Sequence, residues 1–436
     1  MYISLCKLKN FFFFVFLLLF FLTFNENIPF LSILKSTDEI FLAISLICIL
    51  FTMINQATTY KIDKTSSALL LYMICQFINY IISPFDLKII YVVVQSLINI
   101  KLFIVALAVL LVFEPSKYNF KIIRNLHYLF ISIFIFGMVA NLIMQENWNT
   151  MMNSYSSYRY GFIRPAGWLG NSAQNGYFFS LTLITMLLLN SKEKEVRTYT
   201  LVKKFFLFII IDFIMAYPLT VRKGLMSNIA FGFVIFGKIS RRKKIIFSIM
   251  LLIFFPIFLY AIKDLEIATD TISNLQDSTN NDSDNSYIRG LMIYNGYSLF
   301  SDFFPFGVGA ATFGTTLSTY NTLAVYNHVH FNIAELTLSD GSVNGIYDSG
   351  FFSMLAENGF IGMMTTMSFI YYFFKFNKTR LDSYNYMIFK TITWFAILLS
   401  LTDPVWQNGM FTVIYIINIL YIYTKNGIYR ENGRWV

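Results

Sequence analysis

Asn327 to Gly362, NHVHFNIAELTLSDGSVNGIYDSGFFSMLAENGFIG, is where a long polar insertion runs straight back into apolar sequence. Within it, Tyr347-Asp348-Ser349-Gly350 is followed by Phe351, Phe352, Met354 and Leu355 and closed by Glu357-Asn358-Gly359. That spacing predicts a short amphipathic helix over 350–358, stopped by glycine. Such a helix lies on a membrane surface, and the apolar run 359–376 behind it is long enough to enter the bilayer as a span. The stretch therefore predicts a surface site carried on membrane helices, with the rest of the chain as its scaffold.

Composition points the same way. Over 436 residues, 56% are hydrophobic, 19% aromatic and only 13% charged, too little polar surface to cover a soluble domain. The expectation is an all-α polytopic membrane protein forming one membrane domain over 1–436. Apolar runs predict about twelve spans, at 4–24, 38–54, 65–83, 89–113, 126–144, 174–190, 204–219, 222–237, 245–262, 359–376, 386–402 and 409–424. Lys7 and Lys9 precede an apolar run without a small-residue cleavage pattern after it, so the first helix is expected to be retained. With the N-terminus cytoplasmic, 23 of the 33 Lys and Arg fall on the cytoplasmic side, with Lys101 and Lys390 inside spans. Both termini are then cytoplasmic, and the net charge of +9 reports topology, with no need for a nucleic-acid partner. Cys6, Cys48 and Cys75 show no metal-ligand spacing, so neither a disulfide framework nor a metal site is indicated.

Two outer loops exceed ordinary connectors, 145–173 and 263–349, and loops of that length tend to be functional or disordered. The second is acidic, with ten carboxylates against Lys263 and Arg289. Its tip, 273–286, is of low complexity, while Tyr287 to Tyr297 and Tyr326 to Leu338 are patterned as short surface helices.

Several residues could carry chemistry. Thr220-Val221-Arg222-Lys223-Gly224 sits at an outer turn, where a helix N-terminus beside Arg222 and Lys223 would bind an anion, phosphate above all. Snorkelling to the interface is the ordinary alternative for both cations. Arg159 and Arg164 lie among Tyr155, Tyr158, Tyr160 and Trp168, a mixture of forked cations and rings that suits phosphates and sugars but also suits an interfacial aromatic belt. Arg289 precedes Tyr294 and Tyr297 at helical spacing and could equally pair with a nearby carboxylate. His328 and His330 would share a face of an extended segment, though two histidines alone are weak evidence for metal. Asp348 is placed to cap the helix that follows, and a carboxylate there could also accept a proton from a sugar hydroxyl. Glu357 reads either as a second such group or as a helix-terminal residue without chemistry.

Arg159 spaced by ten residues from Gly170, Val221-Arg222-Lys223-Gly224, Arg289, Pro305-Phe306-Gly307-Val308-Gly309, and Asp348-Ser349 through Glu357-Asn358-Gly359-Phe360-Ile361-Gly362 follow one another on the outer side. In that order they resemble the bacterial O-antigen polymerase (Wzy-type) and O-antigen ligase superfamily, over about residues 150 to 365. The resemblance implies a GT-C-like fold and a metal-independent, cofactor-free glycosyltransferase of the bacterial inner membrane, its active site facing the periplasm. Its donor would be a glycan on undecaprenyl pyrophosphate, held by arginines, here Arg222, Arg289 and one of Arg159 or Arg164. The Arg, ten residues, Gly pattern is met at Arg159–Gly170 and departs after Arg289, where position 300 is Phe. Ligases of the superfamily carry a histidine at the start of the short helix, where this chain has Asp348, so the resemblance favours the polymerase. Direct displacement with Asp348 as base, or else Glu357, His328 or His330, would invert the anomeric centre. Membrane lipids, a lipid-linked acceptor, a chain-length regulator and a flippase are the implied partners. A ligase acting on lipid A-core, and a lipid-linked oligosaccharide flippase or other transporter, are the alternatives.

Overall fold

The computed structural model describes residues 37–57, 63–112, 117–152, 154, 156–159, 162–189, 203–212, 225–238, 288–331, 346–347 and 350–431. The expected spans 4–24 and 245–262 lie outside them, as do 263–287, with the loop tip 273–286, and 332–345 and 348–349 of the long loop.

The described chain is helical. α1 (Thr37–Ala57), α2 (Lys64–Ile82), α3 (Ile89–Asn99), α4 (Lys101–Val112) and α5 (Lys117–Met144) form the first half. A short α6 (Glu146–Met152) and a hairpin of β1 (Ser157–Arg159) and β2 (Phe162–Arg164) lead into α7 (Ser172–Leu189). Then come α8 (Leu225–Lys238), α9 (Ile288–Asp302), two short helices α10 (Ser318–Asn321) and α11 (Ala324–His328), and finally α12 (Gly350–Arg380), α13 (Ser383–Leu399) and α14 (Gly409–Glu431). Among the described residues three helices, within α1, α2 and α5, are long and apolar enough to cross a bilayer, and α3 with α4 would make a fourth as one broken span. This is a membrane protein, and its exposed surface says so: Ile40, Ile44, Ile47, Phe51 and Ile54 form an apolar stripe along α1, facing away from the bundle.

Buried helices explain where the core sits. α14 is buried without interruption from Met410 to Thr424, and α4 from Lys101 to Leu110. A helix apolar all round belongs inside a bundle. α14 packs against α5 and α7, α4 against α1, and α12 fills the groove of α2 and receives α9.

Two features depart from the sequence reading. The single span expected at 89–113 is two helices bent by 66° about Ile100. Asn99 and Lys101 flank the bend, and both are drawn into polar contacts that a straight apolar crossing would deny them. Lys101 therefore sits at the head of α4, at the break in the expected span. The segment at His328 is likewise not extended: His328 ends α11, and His330 lies beyond it with φ 54°.

Candidate active site

α12 is interrupted once, at Gly359, whose φ of 59° and ψ of −166° belong to no helix. Only glycine takes this conformation without strain. A Cβ here would stand 2.3 Å from the carbonyl carbon of Phe306. Gly307, at φ 82°, meets the same constraint from the other side, its Cβ position falling 2.5 Å from the Gly359 nitrogen. The two glycines let the Pro305–Gly309 loop press its backbone onto the break. Val308 N–H donates to the Ala356 carbonyl at 3.0 Å, Gly309 N–H to the Glu357 carbonyl at 2.9 Å, and Ile361 N–H to the Pro305 carbonyl at 3.1 Å. Carbonyls and an amide freed by the helix break thus find partners. Two motifs separated by some fifty positions in the sequence prove to be one joint.

Glu357 is the buried centre of that joint. Oε1 accepts from Thr312 N at 2.8 Å, Phe313 N at 3.2 Å and Thr315 Oγ1 at 2.6 Å, and Oε2 from Asn99 Nδ2 at 3.1 Å. The network continues outward: Asn99 Oδ1 accepts from Gln95 Nε2 at 2.8 Å and from Gln407 Nε2 at 3.1 Å, while Gln95 Oε1 takes the Leu317 amide at 3.1 Å. Glu357, Asn99 and Gln95 have no exposed surface. Burial pushes the Glu357 carboxyl up to about 7, against the pull of its four donors. Its place is ahead of the apolar run 359–376, at the joint between the short helix and that run.

Beside the network opens a cavity of about 530 Å³. The heads of four helices meet there: Asp38 and Glu39 of α1, Lys101 of α4, Asn171 and Gln174 at the start of α7, and Asn408 and Gly409 at the start of α14. Lys101 Nζ lies 2.5 Å from Asp38 Oδ2, with 4% of the lysine and 18% of the aspartate side chain exposed. Gly409 makes room for this pair, since a Cβ would stand 2.6 Å from Asp38 Oδ2. Gln407 belongs both to the cavity wall and to the Glu357 network. The first turn of α12 closes on the same region, with Phe351 N–H donating to the Ser400 carbonyl at 2.8 Å and Gly350 packed against Pro404. Tyr177 of α7 donates its hydroxyl to the Asp403 carboxylate and ties α7 to that loop.

The residues singled out from the sequence divide. Gly170 and Tyr347, neighbours of the expected site, both line the cavity. Arg159 and Arg164 fall on the two strands of the hairpin, with Ser157 opposite Arg164 and Arg159 opposite Phe162. Arg289 is the second residue of α9. His328 stands apart from the cavity, its Nε2 3.9 Å from Asp302 Oδ2 and its ring beside Phe303, and His330 is exposed. Glu357 does not line the cavity and is fully buried, so its geometry is that of a positioning residue. Arg222, Lys223, Tyr160 and Asp348 lie outside the described residues. The sequence reading passed over Asp38, Asn99 and Gln407. Lys101 was visible as a charge in an apolar run, which is itself a signal of function.

A family model described as O-antigen ligase matches residues 205–367, a likeness consistent with the O-antigen polymerase/ligase superfamily. Proteins of that family have glycosyltransferase-like activity in O-antigen or lipopolysaccharide synthesis. The match includes the Pro305–Gly309 loop and the Glu357–Gly359 break. No curated protein matches the chain.

Proposed function

We propose that this protein is an O-antigen polymerase, joining undecaprenyl-pyrophosphate-linked repeat units at the periplasmic face of the bacterial inner membrane. The observation that carries the reading is the polar cavity bordered by Tyr347 and Gly170, next in sequence to the candidate base and in register with the Arg159 pattern. In the reaction, a hydroxyl of the acceptor repeat unit attacks the anomeric carbon of the donor glycan. Its proton passes to Asp348, the new glycosidic bond forms, and the bond to pyrophosphate breaks with inversion. Arg222 and Arg289, with Arg159 or Arg164, neutralise the charge gathering on the leaving undecaprenyl pyrophosphate. Neither metal nor cofactor enters this scheme.

The ligase is the second reading, because the matching family model carries that description. Silver-stained lipopolysaccharide from a strain lacking the gene separates the two. Core bearing a single repeat unit is the expected result; bare core with polymer accumulating on undecaprenyl pyrophosphate would identify a ligase, and bare core without it a flippase. Arg222→Ala and Arg289→Ala should each leave protein in the membrane but abolish the ladder, and a wild-type ladder from both would overturn the pyrophosphate assignment.

A further inference from the structure

The cavity of about 530 Å³ beside the Glu357 network has a lining of definite chemistry. Its volume lies within the roughly 300–1,000 Å³ of small-molecule sites. Four carboxamides face it, Asn171, Gln174, Gln407 and Asn408, together with Thr316 and Tyr347. Asn171 Oδ1, Asn408 Oδ1 and Gln407 Nε2 already bond within the protein, which orients these amides so that their remaining donors and acceptor can meet sugar hydroxyls, and the tyrosine ring offers an apolar face.

Charge decides against the other polar half of the substrate. The lining holds two carboxylates, Asp38 and Glu39, against one ammonium, Lys101, and that ammonium is already engaged by Asp38 at 2.5 Å. A pyrophosphate entering here would find the helix heads already beside two carboxyl groups and would have to break a buried ion pair to reach a cation.

Resting on the proposed glycosyl transfer, we infer that this cavity holds the terminal sugar of the acceptor glycan and excludes the donor pyrophosphate. Gln174, Asn408 and Tyr347 then position the attacking hydroxyl. Sugar and pyrophosphate are bound by different parts of the protein, the first by the cavity and the second by the arginines.

The test uses full-length protein in lipid nanodiscs and two probes. One is the free oligosaccharide released by mild acid from the lipid-linked repeat unit of the deletion strain; the other is undecaprenyl pyrophosphate. Gln174→Leu removes one amide at nearly constant size, and Gln174→Trp fills the space. Gln174 takes no part in the Glu357 network described above, so both variants should fold, which a thermal melt confirms. The expected result is oligosaccharide binding weakened at least fivefold by Gln174→Leu and lost in Gln174→Trp, with undecaprenyl pyrophosphate binding unchanged. Unchanged oligosaccharide binding in both folded variants would overturn the inference, as would loss of pyrophosphate binding in its place. Wild-type protein that binds no oligosaccharide would overturn it too. The lipopolysaccharide ladder of the deletion strain judges the polymerase reading separately, so a failed sugar site and a failed function give different results.

Discussion

Exchanging the carboxylate of Glu357 with the amide of Asn99 tests whether the buried network is oriented as its donors require. In Glu357→Gln, the amide oxygen can keep the three donors from Thr312, Phe313 and Thr315, but the new Nε2 then faces Asn99 Nδ2, and two donors oppose each other. Turning Asn99 over moves the conflict to Gln95 and Gln407, and turning Gln95 moves it on to the Leu317 amide. Nothing within the network absorbs it. One buried donor without an acceptor costs about 1–3 kcal/mol, so Glu357→Gln should lose roughly that much. Glu357→Ala strands all four donors and should lose more, of the order of 4 kcal/mol even with some relaxation. Asn99→Asp alone sets a second carboxylate against the first and should also destabilise. The double variant, Glu357→Gln with Asn99→Asp, restores complementarity: the carboxylate introduced at position 99 can accept from the amide introduced at position 357 and from Gln95 and Gln407 together. Thermal unfolding of wild type, the two single exchanges and the double variant in detergent, combined as a double-mutant cycle, should return a coupling of about 1–3 kcal/mol in favour of the double variant. A double variant no more stable than the worse single one would refute the assigned orientation of the network.

The same carboxyl makes stability depend on pH. Its folded value, about 7, stands above the ordinary 4.5 of an unfolded glutamate, so the folded state gains from protonation. That contribution is fully present below about pH 4.5 and is lost as pH rises through 7. Wild-type melting temperature should therefore fall between pH 5 and pH 8 by more than that of Glu357→Gln, and parallel profiles would remove the titration from this residue. Gly359→Ala places a Cβ 2.3 Å from Phe306 at a positive φ. It should cost about 3 kcal/mol or more and release the Pro305–Gly309 loop, read as new proteolytic cleavage there; an uncleaved, stable variant would contradict the joint. Lys101→Met leaves the Asp38 carboxylate without its cation and should cost about 3–5 kcal/mol. Adding Asp38→Asn should recover a good part of that, and a melt showing no recovery would mean that the ion pair is not what holds the heads of α1 and α4 together.

Much of the helical framework was legible because apolar runs of bilayer length say only one thing about a segment, and 38–54, 65–83 and 126–144 each correspond to a helix long and apolar enough to cross. The break within 89–113 was not, because hydropathy averages over a window and one Asn and one Lys barely lower the mean of so apolar a run. The charge of Lys101 was nevertheless the available sign, since an ammonium at membrane depth needs a partner. That the partner is Asp38 could not be read, because pairing across 63 positions is a property of packing and leaves no local pattern. The glycines tell a different story. Gly307 and Gly359 stood out in two short motifs, but their shared reason, mutual backbone contact, exists only in three dimensions.

Glu357 links these observations. A carboxylate costs too much to bury merely to fill space, and in an apolar bundle it survives only where donors surround it. Here the donors come from different parts of the chain: the turn at Thr312–Thr315 and the α3–α4 bend at Asn99, while Glu357 itself ends the short helix that begins at Gly350. Through Asn99 and Gln407 the network extends to the cavity wall. Movement of any one of these elements would leave buried donors unmatched, so the carboxylate fixes their mutual position in a way that apolar packing alone would not. The cavity inherits that rigidity, and a site that must hold a hydroxyl within bonding reach of an anomeric carbon has use for it. Glu357 thereby holds the cavity wall from beneath, through Asn99 and Gln407.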